Sequence, residues 1–278
     1  MVNGAGRLGP EGLALMDVEQ VERTIVSCAE EIVLPRFRQL AEGEIEEKAP
    51  GDLVTIADRE CEVALTPLLR DIVDAPVIGE EAAATNPSLL ELTDAPAAWI
   101  VDPVDGTANF ASGSVDYAVM VAYAEHGVTM ASWIWFPSKN QMATAVRGEG
   151  AFVDGTKVTC EAAISVAAMS GVVRDRYVPE HLLPIIRANK ARFAATNNGS
   201  GCAGIDYLNL LEGRSDLIFY WRTLPWDHAP GTLLATEAGC QALRLDRTNY
   251  RPGADKDGLL VASGQTATLA LDTLVEAG

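Results

Sequence analysis

The amino-acid sequence predicts a layered α/β sandwich, and three observations carry that reading. Segments with apolar residues every three to four positions alternate in blocks with short runs rich in β-branched and aromatic residues, the pattern of helices packed on sheets. Apolar residues make up 48% and charged residues 22% of the 278, a globular composition on a chain long enough to bury a full core. No internal repeat or low-complexity linker interrupts the alternation. The chain divides into a leader at 1–10, an α+β half at 11–166 and an α/β half at 167–278, the halves forming one compact unit.

The elements follow in order. From 11 to about 40, Leu15, Val18, Val21, Ile25, Cys28, Ile32 and Val33 keep helical spacing, and Pro35 bends or ends the helix. An acidic stretch at 42–47 leads into a turn-like segment at 48–52. A second helix spans 58–74, with Cys61, Ala64, Leu65, Leu68, Leu69 and Ile72 on its inner side. A short strand at 76–79 delivers Glu80 and Glu81. The apolar run 98–101 stops at Asp102, and strands follow at 115–123, 128–136 and 141–146. Residues 157–170 read as a crossover. Beyond it come a strand at 171–173, helices at 179–189 and 202–211, and a strand at 216–220. A helix from Asp227 to about 238, a strand at 259–262 and a C-terminal helix close the chain.

Charge narrows the function. With 21 basic and 39 acidic residues the net charge is −18, which argues against binding a nucleic acid polymer, since that relies on Lys and Arg neutralising phosphates. The same charge would repel a small anionic substrate unless bound divalent cations reversed the local field. No apolar run approaches the roughly 18 residues that span a bilayer, so no membrane association is expected. Residues 1–10 are Gly-rich and lack an apolar stretch, which suits a loose leader rather than a secretory signal. The five cysteines contain no CxxC pair, so neither a disulfide framework nor a zinc site is expected, and a reducing cytoplasm fits.

The chemistry concentrates at Asp102-Pro103-Val104-Asp105-Gly106-Thr107. Asp102 and Asp105 follow an apolar strand at its C-terminal end, Pro103 stiffens the turn, and Gly106 permits a backbone that other residues resist. Carboxylates three apart on a tight turn can converge on a hard cation such as Mg²⁺, with the Val104 carbonyl as a further oxygen ligand. Thr107 stands where a helix could start, and the N–H groups there would favour a phosphate. For such a pair of acids alone, a polar turn with an Asp cap is the simpler account. Company shifts the balance. Gly79-Glu80-Glu81 follows another short apolar strand, and Trp226-Asp227 heads a helix over a hundred residues downstream. Taken singly, these too read as an acidic turn and an N-cap. Together they all sit at element ends, where α/β folds build their sites.

In this order, Gly79-Glu80-Glu81, the run from Trp99 through Asp102 to Phe110, and Trp226-Asp227-His228-Ala229 resemble the inositol monophosphatase family. Lys48 with Asp52 to Thr55, Asp58, Gly148 to Phe152 and Glu237-Ala238-Gly239 extend the resemblance over nearly the whole chain. It implies a five-layered αβαβα sandwich of the sugar-phosphatase type and metal-assisted hydrolysis of a phosphate monoester. By position, Glu80, Asp102, the Val104 carbonyl, Asp105 and Asp227 would hold roughly two or three Mg²⁺ ions. Glu80 and Thr107 would orient the attacking water, with Asp105 beside them, while the N–H groups of Gly106 and Thr107 would bind phosphate. Lys48 and Asp58 would support these residues rather than ligate. The resemblance also implies a homodimer. A metal-binding scaffold without activity is the alternative class, and the complete acid set argues against it.

Members of that family act on inositol phosphates, histidinol phosphate, fructose 1,6-bisphosphate or 3′-phosphoadenosine 5′-phosphate, so the substrate turns on other positions. Gly201-Cys202-Ala203-Gly204 resembles the helix-head segment that meets the leaving-group alcohol, with the Ala203 backbone as contact. Where inositol-specific members carry an acid, this chain has Tyr220, followed by Trp221 and Arg222, which weakens the case for inositol. Tyr220 and Trp221 read equally as the end of a buried strand. Arg174, Asp175 and Arg176 read first as a solvated loop and otherwise as part of the same mouth. His228, early in a helix, is expected to be structural.

Overall fold

The computed structural model describes residues 16–50, 52–161, 163–253, 257–264 and 266–276. The leader expected at 1–10 and the start of the first helix lie outside the described residues. Helix α1, Val18–Cys28, is N-capped by Asp17, whose carboxylate accepts the Gln20 N–H at 3.0 Å. The chain then passes through one π turn, Ala29–Val33, and one 3₁₀ turn, Leu34–Arg36. Pro35 sits in that last turn, and its missing N–H and its ring prevent further α-helix.

The 42–52 segment departs from the expected acidic stretch and turn: strands β1, Ile45–Ala49, and β2, Asp52–Thr55, form an antiparallel hairpin. A run reading Ile-Glu-Glu-Lys-Ala carries no strand composition, and pairing with Leu53 and Val54 is what extends it. Helix α2, Ile56–Ile72, starts at a capping box in which Thr55 and Asp58 satisfy each other's end groups. Its inner face buries Ala57, Cys61, Leu65 and Leu69, while Leu68, expected on that side, is exposed. Strand β3, Val77–Gly79, ends at helix α3, Glu80–Thr85, and a 3₁₀ stretch, Pro87–Asp94, leads on.

Next comes β4, Ala98–Asp105, then helix α4, Thr107–Ala111, and strands β5, Ala118–Glu125, β6, Val128–Phe136, β7, Gln141–Val146, β8, Gly150–Val153, and β9, Thr156–Val158. These build a seven-stranded sheet in the order β3-β4-β5-β6-β7-β8-β9, parallel only between β3 and β4. Strand β10, Ser170–Val173, helix α5, Leu183–Asn189, β11, Ala195–Asn197, helix α6, Ala203–Leu211, and β12, Leu217–Tyr220, follow. Helix α7, Pro225–Glu237, β13, Cys240–Arg244, β14, Leu259–Ser263, and helix α8, Ala267–Val275, complete the chain. Five of these strands form a second, mixed sheet in the order β11-β10-β12-β14-β13.

Packing sets the layers. On one face of the seven-stranded sheet, Trp99, Tyr123 and Trp133 bury against Val21 and Ile25 of α1 and Leu65 and Leu69 of α2. On its other face, Met120, Ile134 and Phe136 meet Ile205 and Leu208 of α6 and Leu233 and Leu234 of α7. The same two helices turn Tyr207, Leu210 and Ala235 toward Ile218, Tyr220 and Val261 of the second sheet. Beyond it, Leu217, Phe219 and Leu260 face Ile186 of α5 and Leu271 and Leu274 of α8. Alternation along β12 supplies both faces, since successive strand side chains point to opposite sides. The result is five layers, αβαβα, as the sequence resemblance implies. Helices α6 and α7, buried on two sides, cement the sandwich; truncating a core aromatic such as Trp99 to Ala costs about 3–5 kcal/mol in sites of this kind. No described helix is long and apolar enough to cross a membrane.

Candidate active site

Strand β4 does not stop at Val101. It runs to Asp105, and its pairing with β5 slips between Asp102, opposite Met120, and Asp105, opposite Ala118. Three steps on β4 therefore face two on β5, a bulge that turns the strand end out of the ladder. Pro103 is tolerated there because the bulge asks no N–H of it. Gly106 then adopts φ +84°, and a Cβ would lie 2.9 Å from the Cys202 Cβ and 3.0 Å from the Asp116 carbonyl oxygen, so both backbone and space demand glycine. Thr107 follows at the head of α4. Its hydroxyl lies 3.0 Å from Asp58 Oδ1 and 3.1 Å from the Val104 carbonyl oxygen, and donates to either.

The acids expected from separate stretches line one cleft: Glu80 from the head of α3, Asp102 and Asp105 from β4, and Asp227 from the first turn of α7. Gly106, Thr107, Val104, Ala203 and Tyr220 border it as well. All the candidate ligand atoms are oxygens, the donor chemistry a hard divalent cation requires. Burial is the main cause raising every one of these carboxyls. Glu80 is pushed up to about 7, with Lys48 opposing the rise. Asp102 is raised by burial and then by Glu80, Asp105 and Asp227; Asp227 is raised by burial and by Glu80 and Asp105. Asp102 and Asp227, each raised by Glu80 and Asp105 in a shared cleft, mark a place that favours positive charge.

Their present partners are specific. Lys48 Nζ donates to Glu80 Oε1 and Glu81 Oε1, both at 2.8 Å. Asp105 accepts the N–H groups of Ala203 at 3.1 Å and Gly204 at 2.6 Å and the Cys202 thiol at 3.0 Å. The Ala203 N–H expected to meet a leaving group is thus donated to Asp105, because a buried carboxylate takes the best donors in reach and the head of α6 offers two. Among the described residues no three His, Cys, Asp or Glu side chains close on a common point. Asp58 sits beneath the cleft, accepts the Thr55 N–H at 2.9 Å and is pushed up to about 6 by burial, a support for Thr107 as expected.

One feature escaped sequence reasoning. Glu62 caps α3: its oxygens accept the Glu81 and Ala82 N–H groups, each at 2.8 Å. A Cβ on Gly79 would fall 2.2 Å from that carboxylate carbon, which explains the glycine. The available signal was an acid beside Cys61 on the inner side of a helix. The 174–176 stretch, read first as a solvated loop and otherwise as part of the mouth, is a partly exposed loop that lines the mouth. Arg174 and Arg176 border the cleft, while Asp175 turns away to pair with Arg187 at 2.9 Å and Lys190 at 3.4 Å. Tyr220 satisfies both readings: it ends a buried strand, donates to Asp206 and still borders the cleft. His228 is fully buried, shares a 3.1 Å hydrogen bond with the Tyr207 hydroxyl and is pushed down to about 3 by burial, so it is a neutral structural residue.

Comparison with known proteins decides the lineage: the family model described as the inositol monophosphatase family matches residues 15–277. The chain belongs to the inositol monophosphatase family. Its relatives include the Nus factor SuhB of Vibrio cholerae, 29% identical over 81% of this chain and 83% of that protein. Inositol monophosphatase 2 of Solanum lycopersicum is 34% identical over 70% of this chain and 76% of its own. The fold matches the extragenic suppressor protein suhB of Bartonella henselae with a TM-score of 0.78 at 23% identity, covering 93% of this chain and 99% of that one. As a member of the inositol monophosphatase family the chain is a phosphatase, metal-dependent in general terms, for phosphorylated small molecules.

Proposed function

We propose that this chain hydrolyses a small phosphate monoester in a Mg²⁺-dependent reaction with water as nucleophile. The observation that carries the proposal is the gathering of Glu80, Asp102, Asp105 and Asp227, from three places in the sequence, along one cleft beside the head of α4. Those four carboxylates and the Val104 carbonyl would hold the cations, roughly two or three by family resemblance. When bound, Mg²⁺ supplies Lewis acidity and neutralises charge on the phosphoryl and leaving oxygens. The chain's residues do the rest. The Gly106 and Thr107 N–H groups present donors to the phosphate. The Thr107 hydroxyl, held from below by Asp58, and the Glu80 carboxylate position a water for attack. Lys48 keeps Glu80 on the cleft side of α3. The same reading places the protein, with five free cysteines, in a reducing cytoplasm, and family resemblance suggests a homodimer.

Phosphate release from a panel of small monoesters tests this. Turnover with Mg²⁺, its loss in EDTA and its loss in Asp105→Asn and Asp227→Asn are expected. Release that continues unchanged in EDTA would overturn it. Metal binding with no hydrolysis across the panel would favour the scaffold reading instead.

A further inference from the structure

The cleft that carries the carboxylates is also lined by arginine and aromatic side chains. Arg174 and Arg176 leave the end of β10, Tyr177 follows them, and Arg222 comes from the turn after β12. In a chain of net charge −18, three arginines in one mouth are a local reversal of sign. Among the described residues, no carboxylate lies within ion-pair distance of any of the three; the one acid between them, Asp175, is engaged by Arg187 and Lys190. Arg174, Arg176 and Arg222 line the same cleft as Glu80, Asp102, Asp105 and Asp227.

The group is organised rather than loose. The guanidinium carbons of Arg222 and Arg176 lie 4.5 Å and 4.8 Å from the centroid of the Tyr177 ring, so one ring orders two cations. Arg174 lies 5.6 Å from the Tyr220 ring centroid, and its N–H donates to the Phe219 carbonyl at 3.0 Å, which fixes where it leaves the sheet. Tyr177 is 45% exposed and holds φ +70°, a left-handed backbone that bulky residues rarely adopt. Core packing gives no reason for an exposed tyrosine in a strained conformation, and such strain clusters where ligands bind. Guanidinium groups held over an aromatic ring can still present N–H donors to an anion, and their planar fork matches the geometry of phosphate and carboxylate.

From this arrangement, and resting on the phosphatase reading above, we infer that the preferred substrate carries a second anionic group on its leaving-group side, held by Arg174, Arg176 and Arg222 around Tyr177. The scissile phosphate sits against the acid wall and its cations; the second anion, phosphate or carboxylate, sits against the arginine wall.

Matched substrate pairs test the inference. Adenosine 3′,5′-bisphosphate against 3′-AMP, and fructose 1,6-bisphosphate against fructose 1-phosphate, differ by a second phosphate. Glycerate 2-phosphate against glycerol 2-phosphate differs by a carboxylate. At least one doubly anionic member is expected to exceed its partner by roughly tenfold or more in kcat/KM, expressed mainly in KM, and the pair concerned names the anion. In an Arg176→Gln, Arg222→Gln double variant that ratio falls to near unity. Equal kcat/KM within every pair in the wild type would overturn the inference, as would a ratio that survives the double substitution. Equal losses on both members of each pair would also overturn it, since the arginines would then serve the scissile phosphate. If no compound is turned over, the phosphatase reading fails separately. Calorimetric binding of adenosine 3′,5′-bisphosphate against 3′-AMP to wild type and double variant then decides the inference by the same ratio.

Discussion

Asp105 and Gly204 are joined by a 2.6 Å hydrogen bond from the helix-head N–H to the carboxylate, across 99 residues of sequence. That contact ties the end of β4 in the first sheet to the head of α6 in the middle layer. The same side chain is a proposed cation ligand, so one carboxylate serves the site and the assembly of the sandwich.

Substitution at Asp105 should therefore separate the two roles. Asp105→Asn keeps an acceptor for the α6 head but loses the charge; Asp105→Ala also leaves the helix-head donors without their partner. Both should lower Mg²⁺-dependent phosphate release by about two orders of magnitude or more. Urea unfolding should show Asp105→Ala less stable than Asp105→Asn by about 1–3 kcal/mol.

The acids of the cleft set a pH dependence. Asp58 is raised to about 6 and Glu80 to about 7, and Asp102 and Asp227 are raised too, so the folded chain binds these protons more tightly than the unfolded chain. Their contribution favours the fold below the ordinary carboxylate range and is lost as pH rises through the folded values. Cations compete with the same protons. The rise in Tm on adding Mg²⁺ to EDTA-treated protein should be small near about pH 5 and grow toward about pH 8. A Tm increment independent of pH would contradict this account.

His228 acts with the opposite sign. Its imidazole is pushed from 6.5 down to about 3, so the unfolded chain binds that proton more tightly and stability is lost as pH falls below about 6.5. His228→Phe should flatten the acid limb of a stability-against-pH curve. It should cost about 1 kcal/mol at neutral pH through the Tyr207 hydroxyl and keep turnover within roughly threefold.

Gly106→Ala imposes both a left-handed backbone and a Cβ within 3.0 Å of a carbonyl oxygen. Neither can relax without moving Asp105 or α6. Thermal unfolding should register a loss of about 1–2 kcal/mol or more, and turnover should fall with it, because Thr107 is displaced from the site.

Much of this molecule was legible along the chain. The strands at Val128–Phe136 and Gln141–Val146 occupy the predicted positions, since short apolar runs bounded by turn residues leave little choice. The amphipathic face of α2 and the acids at element ends were equally plain. The β1–β2 hairpin was not, because its acidic strand is defined by its partner rather than by its own side chains. Glu62 was missed for a related reason: an acid on the inner face of a helix looks like an error of pattern until the N–H groups it caps are in view.

The sequence by itself determined the five-layered architecture through its family likeness, and the four carboxylates with the Gly-Thr turn through their spacing and order. Motif order carries both through that resemblance, since taken singly the acids read as a polar turn and helix caps. Only the tertiary structure decided that Asp175 turns away while Arg174 and Arg176 turn in. It also decided that Asp105 takes the head of α6, and that Tyr177 and Arg222 share a wall. Each depends on which buried or exposed partner stands nearest across long stretches of chain. A charge in a sequence has no direction until packing and desolvation choose its neighbour.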